Sequence, residues 1–233
     1  MEKFNIYYVN VRGLKSKMDS VQRILGDIQP EVICMTETHL EEGEKVELEG
    51  YEIYYNSNTK GKGGIIVGIQ EKLKHVTIET EKKRGAYETL WIKIDNKKNK
   101  INIGTVYAPQ ESRTKIKVYR EMYRAINEKI NVIKNDNEKM YLVGDFNAKV
   151  GDIIKGNKDE VSKSGKVLKE MVLEQDLSVL NANQKCIGTW TRVLGSEKSV
   201  IDYAMVLQGD EQYITEIRID DDKVDTPRYR SSG

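Results

Sequence analysis

Eight short runs rich in Val, Ile, Tyr and Thr limit the possible folds of this chain more than any other feature, because such runs favour β-strands. The runs lie at residues 4–9, 32–36, 51–55, 64–69, 89–94, 100–107, 140–144 and 200–206. Apolar residues recur at helical spacing at residues 14–28, 116–133 and 164–175. Polar segments rich in Gly or Lys predict loops at residues 41–49, 79–85 and 151–165. Many strands and few helices predict an α/β sandwich with helices on its outer faces, rather than a regular βαβ alternation.

The length of the chain is compatible with one large domain, because single β-rich domains often reach about 200–250 residues. The 233 residues contain no internal repeat and 3 Pro, so we predict a single domain over residues 1–233. No apolar segment approaches the roughly 18 residues that span a bilayer, and a signal-peptide pattern is lacking, which argues against membrane and secretory classes. Cys34 and Cys186 are too few for a disulfide framework, which favours a reducing compartment. The net charge of +1 does not by itself indicate a polyanionic partner.

Polar side chains stand at the ends of four predicted strands. Asn10 and Glu37 directly follow apolar runs, Tyr107 ends a third run, and Asp145 follows a fourth. If these strands are neighbours that end at one edge of a sheet, the four side chains converge there. Ligand sites of α/β proteins commonly lie at such edges. The sequence therefore predicts a site built from strand ends.

The segment Gly144-Asp145-Phe146-Asn147 adds a further polar group to this set. Residues two apart in an extended backbone point to the same side, so Asp145 and Asn147 are expected to address one ligand while Phe146 turns into the core. Carboxylate and amide oxygens suit a hard cation such as Mg²⁺, which binds one or two carboxylates and keeps several waters. Metal-assisted cleavage of a phosphate ester is the reaction class that this set predicts.

Each of these residues also has a purely structural interpretation. Asn10 or Asp145 at a strand end is compatible with a turn or a helix cap, and Tyr107 with packing on the sheet while its hydroxyl faces water. Glu37 is harder to explain in this way, because a carboxylate that ends a buried strand needs a partner. The functional interpretation therefore rests on the whole set.

Seven short motifs occur in order along the chain: Asn-Val-Arg-Gly-Leu at residues 10–14, Thr-Glu-Thr-His at 36–39, Gly-Gly-Ile at 63–65, Val-Tyr-Ala-Pro at 106–109, Gly-Asp-Phe-Asn-Ala at 144–148, Thr-Trp at 189–190 and Ile-Asp-Tyr at 201–203. In order and spacing they resemble the endonuclease/exonuclease/phosphatase superfamily, and most of all the apurinic-type endonuclease domain of non-long-terminal-repeat (LINE-like) retrotransposons. The resemblance implies a DNase I-like fold, a four-layered α/β sandwich of two packed mixed sheets flanked by helices. It places the site at the edge where the two sheets meet.

The resemblance also implies roles for individual residues. Glu37 resembles the principal metal carboxylate, and Asn10 resembles the side chain that helps to hold the metal and its waters. Asp145 resembles the residue that positions or deprotonates the attacking water. Asn147 resembles the donor that steadies the phosphate oxygens in the transition state, and Tyr107 resembles the phenol that contacts the scissile phosphate.

Further site residues follow from the same resemblance. Asp202 resembles the buried carboxylate that orients a catalytic His, and Gln110 occupies a position where relatives often direct an Asn at the phosphate. Trp190 resembles part of the strand that leads into a loop beside the substrate channel. Arg12 and Lys62, in or beside loops, are expected to contact the phosphates of a duplex, with a solvated loop position as the alternative. Other basic residues at such positions are Lys15, Lys17, Lys60, Lys82, Lys83 and Arg84.

The C-terminal part of the sequence departs from the family pattern. Members end in a Ser-Asp-His segment on a last strand, whereas this chain carries only His39 and His75, neither of them in that context. We therefore interpret the chain as a domain that is truncated at its C-terminus and lacks its last strand. His39 is not expected to substitute, because it belongs to the Glu37 segment. The three carboxylates at residues 220–222 are more typical of a solvated turn than of a metal cluster.

These observations predict a DNA-nicking endonuclease domain of retroelement type, in which water attacks a DNA phosphate with the help of Mg²⁺, or of Mn²⁺ as an alternative. The expected partners are duplex DNA, contacted through its backbone, and a reverse transcriptase domain in the same polyprotein, with no membrane partner. The resemblance implies an intracellular, nuclear location. Two alternatives remain open: a catalytically inactive fragment that keeps the fold, and a superfamily phosphatase that acts on a nucleotide or a phosphoinositide.

Overall fold

Two β-sheets lie at the centre of the computed structural model, which describes residues 4–57, 61–73, 77–83, 86–95, 100–154, 160–194 and 196–219. The strands in this part of the chain are β1 Ile6–Asn10, β2 Val32–Thr36, β3 Tyr51–Asn56, β4 Ile65–Gln70, β5 Thr77–Lys83, β6 Glu88–Asp95, β7 Lys100–Tyr107, β8 Lys139–Asp145, β9 Leu177–Val179, β10 Cys186–Ile187, β11 Arg192–Leu194, β12 Glu197–Ser199, β13 Asp202–Leu207 and β14 Ile217–Arg218. The α-helices are α1 Met18–Ile28, α2 Ile116–Asn135 and α3 Lys163–Glu174.

Both sheets are mixed, and each contains one parallel pair of strands. The smaller sheet has four strands in the order β1-β2-β4-β3, with β1 and β2 parallel. The larger sheet has six strands in the order β5-β6-β7-β8-β13-β9, with β7 and β8 parallel. The remaining neighbours in the two sheets are antiparallel. The short strands β10 and β14 pair with each other, as do β11 and β12.

The alternation of side chains along β2 shows how the layers are stacked. Val32 and Cys34 are fully buried against residues of the larger sheet such as Ile103, so this face of β2 lies between the two sheets. Ile33 points the other way and packs with Leu25 of α1. The smaller sheet is therefore covered by the larger sheet on one face and by α1 on the other.

Helices α2 and α3 cover the outer face of the larger sheet. Helix α2 buries a stripe at spacings of three and four residues, formed by Tyr119, Met122, Tyr123, Ile126, Ile130 and Ile133. Leu168 of α3 and Leu142 of β8 belong to the same buried cluster. The order of layers is thus α1, smaller sheet, larger sheet, and α2 with α3, which confirms the predicted four-layered α/β sandwich. None of the helices in the described residues has the length and apolar character needed to cross a membrane.

The predicted strands agree with the observed ones to within two residues at each end, whereas two predicted loops are partly wrong. Residues 79–83 of the predicted loop 79–85 belong to β5, which pairs along its length with β6 at the margin of the larger sheet. The predicted loop 151–165 begins with a 3₁₀ turn at Gly151–Ile153 and gives way to α3 at Lys163. Ser162 explains this helix start, because its hydroxyl accepts the backbone N–H of Gly165.

Candidate active site

Strand ends of both sheets meet at one edge of the sandwich and bring predicted site residues there. In the smaller sheet, Asn10 is the last residue of β1, and Glu37 directly follows its parallel neighbour β2. In the larger sheet, Tyr107 and Asp145 lie opposite each other at the ends of the parallel strands β7 and β8. The antiparallel strand β13 begins at the same edge, where Asp202 lies opposite Asp145.

The amide of Asn10 joins the two sheets. Its nitrogen Nδ2 donates one hydrogen bond to Glu37 Oε1, at 2.9 Å, and a second to Asp145 Oδ2, also at 2.9 Å. Its oxygen Oδ1 accepts the backbone N–H of Arg12 at 3.2 Å. The hydroxyl of Tyr107 lies near the Glu37 carboxylate, whose charge adds to burial in raising the pKa of the phenol. One hydrogen-bond network therefore contains a carboxylate from each sheet.

A tight turn after β8 places Asn147 beside Asp145. The backbone N–H of Asn147 donates to Asp145 Oδ1 at 2.9 Å, and its side-chain amide donates to the carbonyl of Ala108 at 2.8 Å. Phe146 is fully buried, as predicted. The expectation of an extended backbone is wrong, because β8 ends at Asp145 and Asn147 has a left-handed φ of 45°. Asn147 thus comes next to Asp145 through a turn and not through strand alternation.

Gly144 allows the close approach of β7 and β8 just before this turn. A Cβ atom at this position would lie 2.1 Å from the carbonyl oxygen of Val106, far inside van der Waals contact. Only glycine avoids that overlap. The glycine of the Gly-Asp-Phe-Asn motif therefore serves the backbone geometry that positions Asp145.

Asp202 is held by contacts that the sequence did not predict. The hydroxyl of Tyr8 donates to Asp202 Oδ1 at 2.8 Å. The Thr191 oxygen Oγ1 accepts the backbone N–H of Asp202 at 3.1 Å, and this side chain opposes the rise that burial causes in the pKa of the Asp202 carboxyl. The family resemblance implied a His in this place. In the described part of the chain, Tyr8 hydrogen-bonds the Asp202 carboxylate and Thr191 holds the Asp202 backbone N–H.

Burial and mutual repulsion shift the pKa values of these carboxyl groups. Asp145 is 2% exposed, and this burial together with the charge of Asp202 raises its pKa well above the ordinary value. Burial raises the pKa of Asp202 to about 6, against the opposing effects of the Tyr8 hydrogen bond and the Arg12 charge. Burial and nearby carboxylates also raise the pKa of Tyr107. The phenol of Tyr107 therefore remains protonated at neutral pH and can donate a hydrogen bond.

The donor atoms at this edge fit a hydrated hard cation. The ligand atoms available here are the oxygens of Glu37, Asn10 and Asp145. The nearby negative charges that raise the pKa of Asp145 also favour the binding of a cation. No cluster of three or more His, Cys, Asp or Glu side chains suited to a metal occurs in the described residues. An ion at this edge would consequently bind one or two carboxylates and retain several waters, as Mg²⁺ commonly does. Glu37 and Asn10 are the residues that would hold it.

We expect the free energy of unfolding of the metal-free protein to fall as the pH rises from about 4, the ordinary pKa of an Asp, through about 6, the pKa of the Asp202 carboxyl. Asp145 and Asp202 have higher pKa values in the folded protein than in the unfolded chain. Between the unfolded and the folded pKa, the folded state therefore binds more protons than the unfolded state. The folded state loses this stabilisation as the pH rises through the folded pKa. Urea denaturation in EDTA at several pH values measures this trend. The Asp145→Asn/Asp202→Asn double variant should show a flatter profile, and a wild-type stability that rises over this interval would contradict the assignment.

The other predicted site residues surround this network at different depths. Arg12 is exposed and has a left-handed φ of 46°, and its charge lowers the pKa of Asp202. Lys62 is exposed and lies beside the Gly63-Gly64 turn, whose carbonyls accept backbone N–H groups of the segment after Glu37. Trp190 is partly buried and packs against the core between the larger sheet and its helices.

Gln110 and Asn147 line a cleft of 880 Å³ next to the hydrogen-bond network. The cleft lies between the start of α2, the start of α3 and the residue that precedes β13. Its basic lining residues are Lys115, Lys149, Lys163 and Arg192. Of the other predicted basic residues, Lys60 and Arg84 lie outside the described residues, and the side chains of Lys82 and Lys83 are not described. The three carboxylates at residues 220–222 also lie outside the described residues. Lys15 ion-pairs with Glu44.

Sequence reasoning missed three polar residues that support the site: the buried Glu88 and the partly buried Tyr8 and Thr191. Glu88 is 4% exposed and its carboxylate accepts the backbone N–H of Gly64 at 2.6 Å. A signal for Tyr8 was present, since it lies two residues before Asn10 and thus shares a face of β1 with it. No comparable signal marks Thr191, because its contact with Asp202 depends on how the loop before β13 folds back.

A sequence profile of the endonuclease/exonuclease/phosphatase family matches residues 4–206 of this chain. The chain belongs to the endonuclease/exonuclease/phosphatase family. Among curated proteins, it is similar to the RNA-directed DNA polymerases from mobile element jockey of two flies. The protein from Drosophila melanogaster is 25% identical over 190 residues, which cover 79% of this chain and 19% of the relative. The protein from Drosophila funebris is 23% identical over 200 residues, which cover 84% and 20%.

Solved structures of nucleic-acid enzymes share the fold of this family member. The 3'-5' exonuclease NExo from Neisseria meningitidis superposes with a TM-score of 0.72 at 17% identity, covering 92% of this chain and 91% of that chain. The AP endonuclease LMAP from Leishmania major superposes with a TM-score of 0.68 at 14% identity, covering 88% and 79%. These likenesses confirm the DNase I-like fold. The match to jockey confirms the predicted kinship with retrotransposon proteins, of which this chain spans about a fifth.

Proposed function

We propose that this chain is the DNA-nicking endonuclease domain of a retroelement polyprotein and that it hydrolyses one DNA phosphodiester bond with the help of a divalent metal ion, Mg²⁺ or alternatively Mn²⁺. The Asn10 amide carries this proposal, because it links Glu37 of one sheet to Asp145 of the other. Tyr107 and Asn147 lie next to this link. Carboxylates, an amide and a phenol at one strand edge are groups suited to metal-assisted hydrolysis of a phosphate ester.

The metal site in this proposal is formed by Glu37 with the support of Asn10. When bound, a divalent ion neutralises charge on the phosphate oxygens and favours attack on phosphorus. The carboxylate of Glu37 is held toward the site by Asn10 Nδ2, with the Tyr107 hydroxyl nearby. Its orientation is thus set before any ligand binds, which reduces the entropic cost of binding one.

The attacking water is assigned to Asp145. Its buried carboxylate has a raised pKa and is therefore a stronger base than an exposed Asp, which suits proton removal near neutral pH. Asn147 and Tyr107 supply an amide and a hydroxyl beside this carboxylate, and these donors are suited to phosphate oxygens that gain charge in the transition state. Asp202 contributes negative charge opposite Asp145 and increases its basicity.

Duplex DNA is the substrate that the surroundings of the site favour. Four basic side chains line the cleft beside Asn147, where they can contact backbone phosphates, and Arg12 and Lys62 are exposed near the same edge. Relatives named as polymerases of a mobile element favour a retroelement role. We extend the proposal to a reverse transcriptase in the same polyprotein and to action in the nucleus.

Conversion of supercoiled plasmid to open circles tests the proposal. We expect Mg²⁺-dependent nicking that EDTA abolishes and that the Glu37→Gln/Asp145→Asn double variant does not support. A version extended by a strand that bears Ser-Asp-His should cleave faster, because loss of a general acid/base costs a factor of about 10² to 10⁴. Plasmid that remains supercoiled with the purified chain and with the extended version would contradict the proposal.

Other DNA substrates separate this function from neighbouring ones in the same family. A related structure is that of a 3' phosphatase NExo bound to a product DNA hairpin, so release of a terminal 3' phosphate is a specific second candidate. Duplexes with a 3' phosphate, a recessed 3' end or an abasic site should be incubated in parallel with intact plasmid. Phosphate release without nicking would replace the endonuclease assignment by a phosphatase assignment.

A further inference from the structure

Tyr8 lies beside the site and connects residues of the smaller sheet with residues of the larger sheet. It is on β1, two residues before Asn10, and its ring packs in the core between the two sheets. Its hydroxyl donates to Asp202 Oδ1 at 2.8 Å and lies 3.0 Å from Thr36 Oγ1. Thr36 is fully buried and immediately precedes Glu37. A single phenol therefore contacts a residue next to the proposed metal carboxylate and a carboxylate of the other sheet.

The direction of the two hydrogen bonds follows from the number of hydrogens. Each hydroxyl has one hydrogen, and an ionised carboxylate only accepts. Tyr8 consequently gives its hydrogen to Asp202, and Thr36 gives its own to the Tyr8 oxygen. A phenol is protonated at neutral pH, so Tyr8 remains a donor.

We infer that Tyr8 is a positioning residue for the hydrolysis proposed above: it holds the Asp202 carboxylate opposite Asp145. The inference rests on the proposed function and goes beyond it, because Tyr8 belongs to none of the motifs that define the site. Without the phenol hydrogen, the Asp202 carboxylate would lose its 2.8 Å hydrogen bond, while Thr191 would still accept the backbone N–H of Asp202. Supporting residues of this kind commonly change activity by about 10–100-fold.

Burial, charged groups and a hydrogen-bond donor determine the pKa of Asp202. Among the described residues, Asp145 and Glu37 face it with negative charge, Arg12 faces it with positive charge, and Tyr8 donates to it. Removal of the Tyr8 hydrogen bond leaves these charges in place while it withdraws a donor that stabilises the ionised form. The pKa of Asp202 should therefore rise when the phenol is replaced by a benzene ring.

The Tyr8→Phe variant tests this role because it removes one oxygen and keeps the ring. We expect kcat for plasmid nicking to fall about 10–100-fold while KM changes by less than about twofold, since Tyr8 does not touch substrate. Tyr51→Phe is the matched control, because Tyr51 is in the same sheet but donates to the Pro30 carbonyl, at the end of the sheet away from the site. A kcat for Tyr8→Phe equal to that of Tyr51→Phe would overturn the inference.

A double-mutant cycle distinguishes positioning of Asp202 from a general loss of stability. If Tyr8 acts through Asp202, the Tyr8→Phe/Asp202→Asn double variant should be no slower than Asp202→Asn alone. Additive losses would assign Tyr8 a merely structural role and refute the inference.

Titration of the Asp202 carboxyl by carbon-13 NMR provides a readout that needs no turnover. The pKa should be higher in Tyr8→Phe than in the wild type and unchanged in Tyr51→Phe. An unchanged pKa in Tyr8→Phe would refute the contact itself. If the wild type fails to cleave DNA but this shift is present, the proposed function fails while the Tyr8–Asp202 link stands.

Discussion

The Asp145→Asn variant should lose DNA nicking by a factor of about 10² to 10⁴ in kcat, the range expected when a general base is removed. The substitution changes one oxygen to an amide nitrogen and keeps the size of the side chain. It removes the basic carboxylate that accepts hydrogen bonds from Asn10 Nδ2 and from the backbone N–H of Asn147. An amide cannot accept through both of its polar atoms, so one of these two contacts is lost together with the base.

Single-turnover nicking assays at saturating Mg²⁺ measure this effect separately from product release. Asp152→Asn is the matched control, because Asp152 is an exposed residue whose carboxylate pairs with Lys169 on the helix side of the larger sheet. Circular dichroism and thermal unfolding should show that both variants fold. Nicking by Asp145→Asn within about threefold of the control would exclude Asp145 as the base.

The Glu37→Gln variant should weaken binding of the divalent ion, and with it activity, by at least about 10–100-fold. A loss of about 10–100-fold is typical when a residue that only supports a metal ligand is replaced. Replacing the charged ligand itself should reduce metal affinity by at least as much. Glu37 is the carboxylate on which Asn10 and Tyr107 converge, whereas the clustered acidic side chains that mark all-protein metal sites are not found in the described residues. A site with so few protein ligands depends strongly on each of them.

Isothermal titration of the metal-free protein with Mn²⁺, with Mg²⁺ in parallel, measures this binding without any DNA. Glu128→Gln is a suitable control, because Glu128 is exposed on α2 and pairs only weakly with Arg124. Asp145→Asn should retain more metal affinity than Glu37→Gln, since the two residues are assigned different roles. Equal metal affinity in Glu37→Gln and the wild type would remove Glu37 from the metal site.

The strand ends explain why so much of the site was predictable from sequence. Asn10, Glu37, Tyr107 and Asp145 each follow an apolar run, and runs that form the centre of a sheet are the easiest elements to recognise. Their convergence followed once the runs were taken as neighbours. The order of strands, with β8 between β7 and β13, was not deducible from local pattern, because pairing between distant strands leaves no periodic signal.

Two errors of prediction have physical causes. Residues 79–83 are rich in Glu and Lys and suggested a loop, yet they form β5, which among the described strands lies at the margin of the larger sheet, a position where charged residues are common. Asn147 was expected on an extended strand, but Asn tolerates the left-handed backbone that the turn after Asp145 requires. In both cases the tertiary position, and not the local composition, decided the conformation.

Contacts across the two sheets were the least predictable part. Tyr8 and Asp202 are 194 positions apart, and nothing in either local sequence points to the other. A tyrosine in a strand of this kind is ordinarily an amphipathic core residue. Only the packing of β1 against the larger sheet gives its hydroxyl a role at the site.

The bridge formed by Asn10 also has a consequence for the synthesis of the protein. Asn10 and Asp145 are separated by 135 positions, so a ribosome must translate well over half of this sequence before both ends of the bridge exist. Domains commonly begin to fold from the N-terminus while translation continues. A nascent chain that has completed only the smaller sheet therefore carries Asn10 and Glu37 before Asp145, the other carboxylate that Asn10 contacts, has been synthesised.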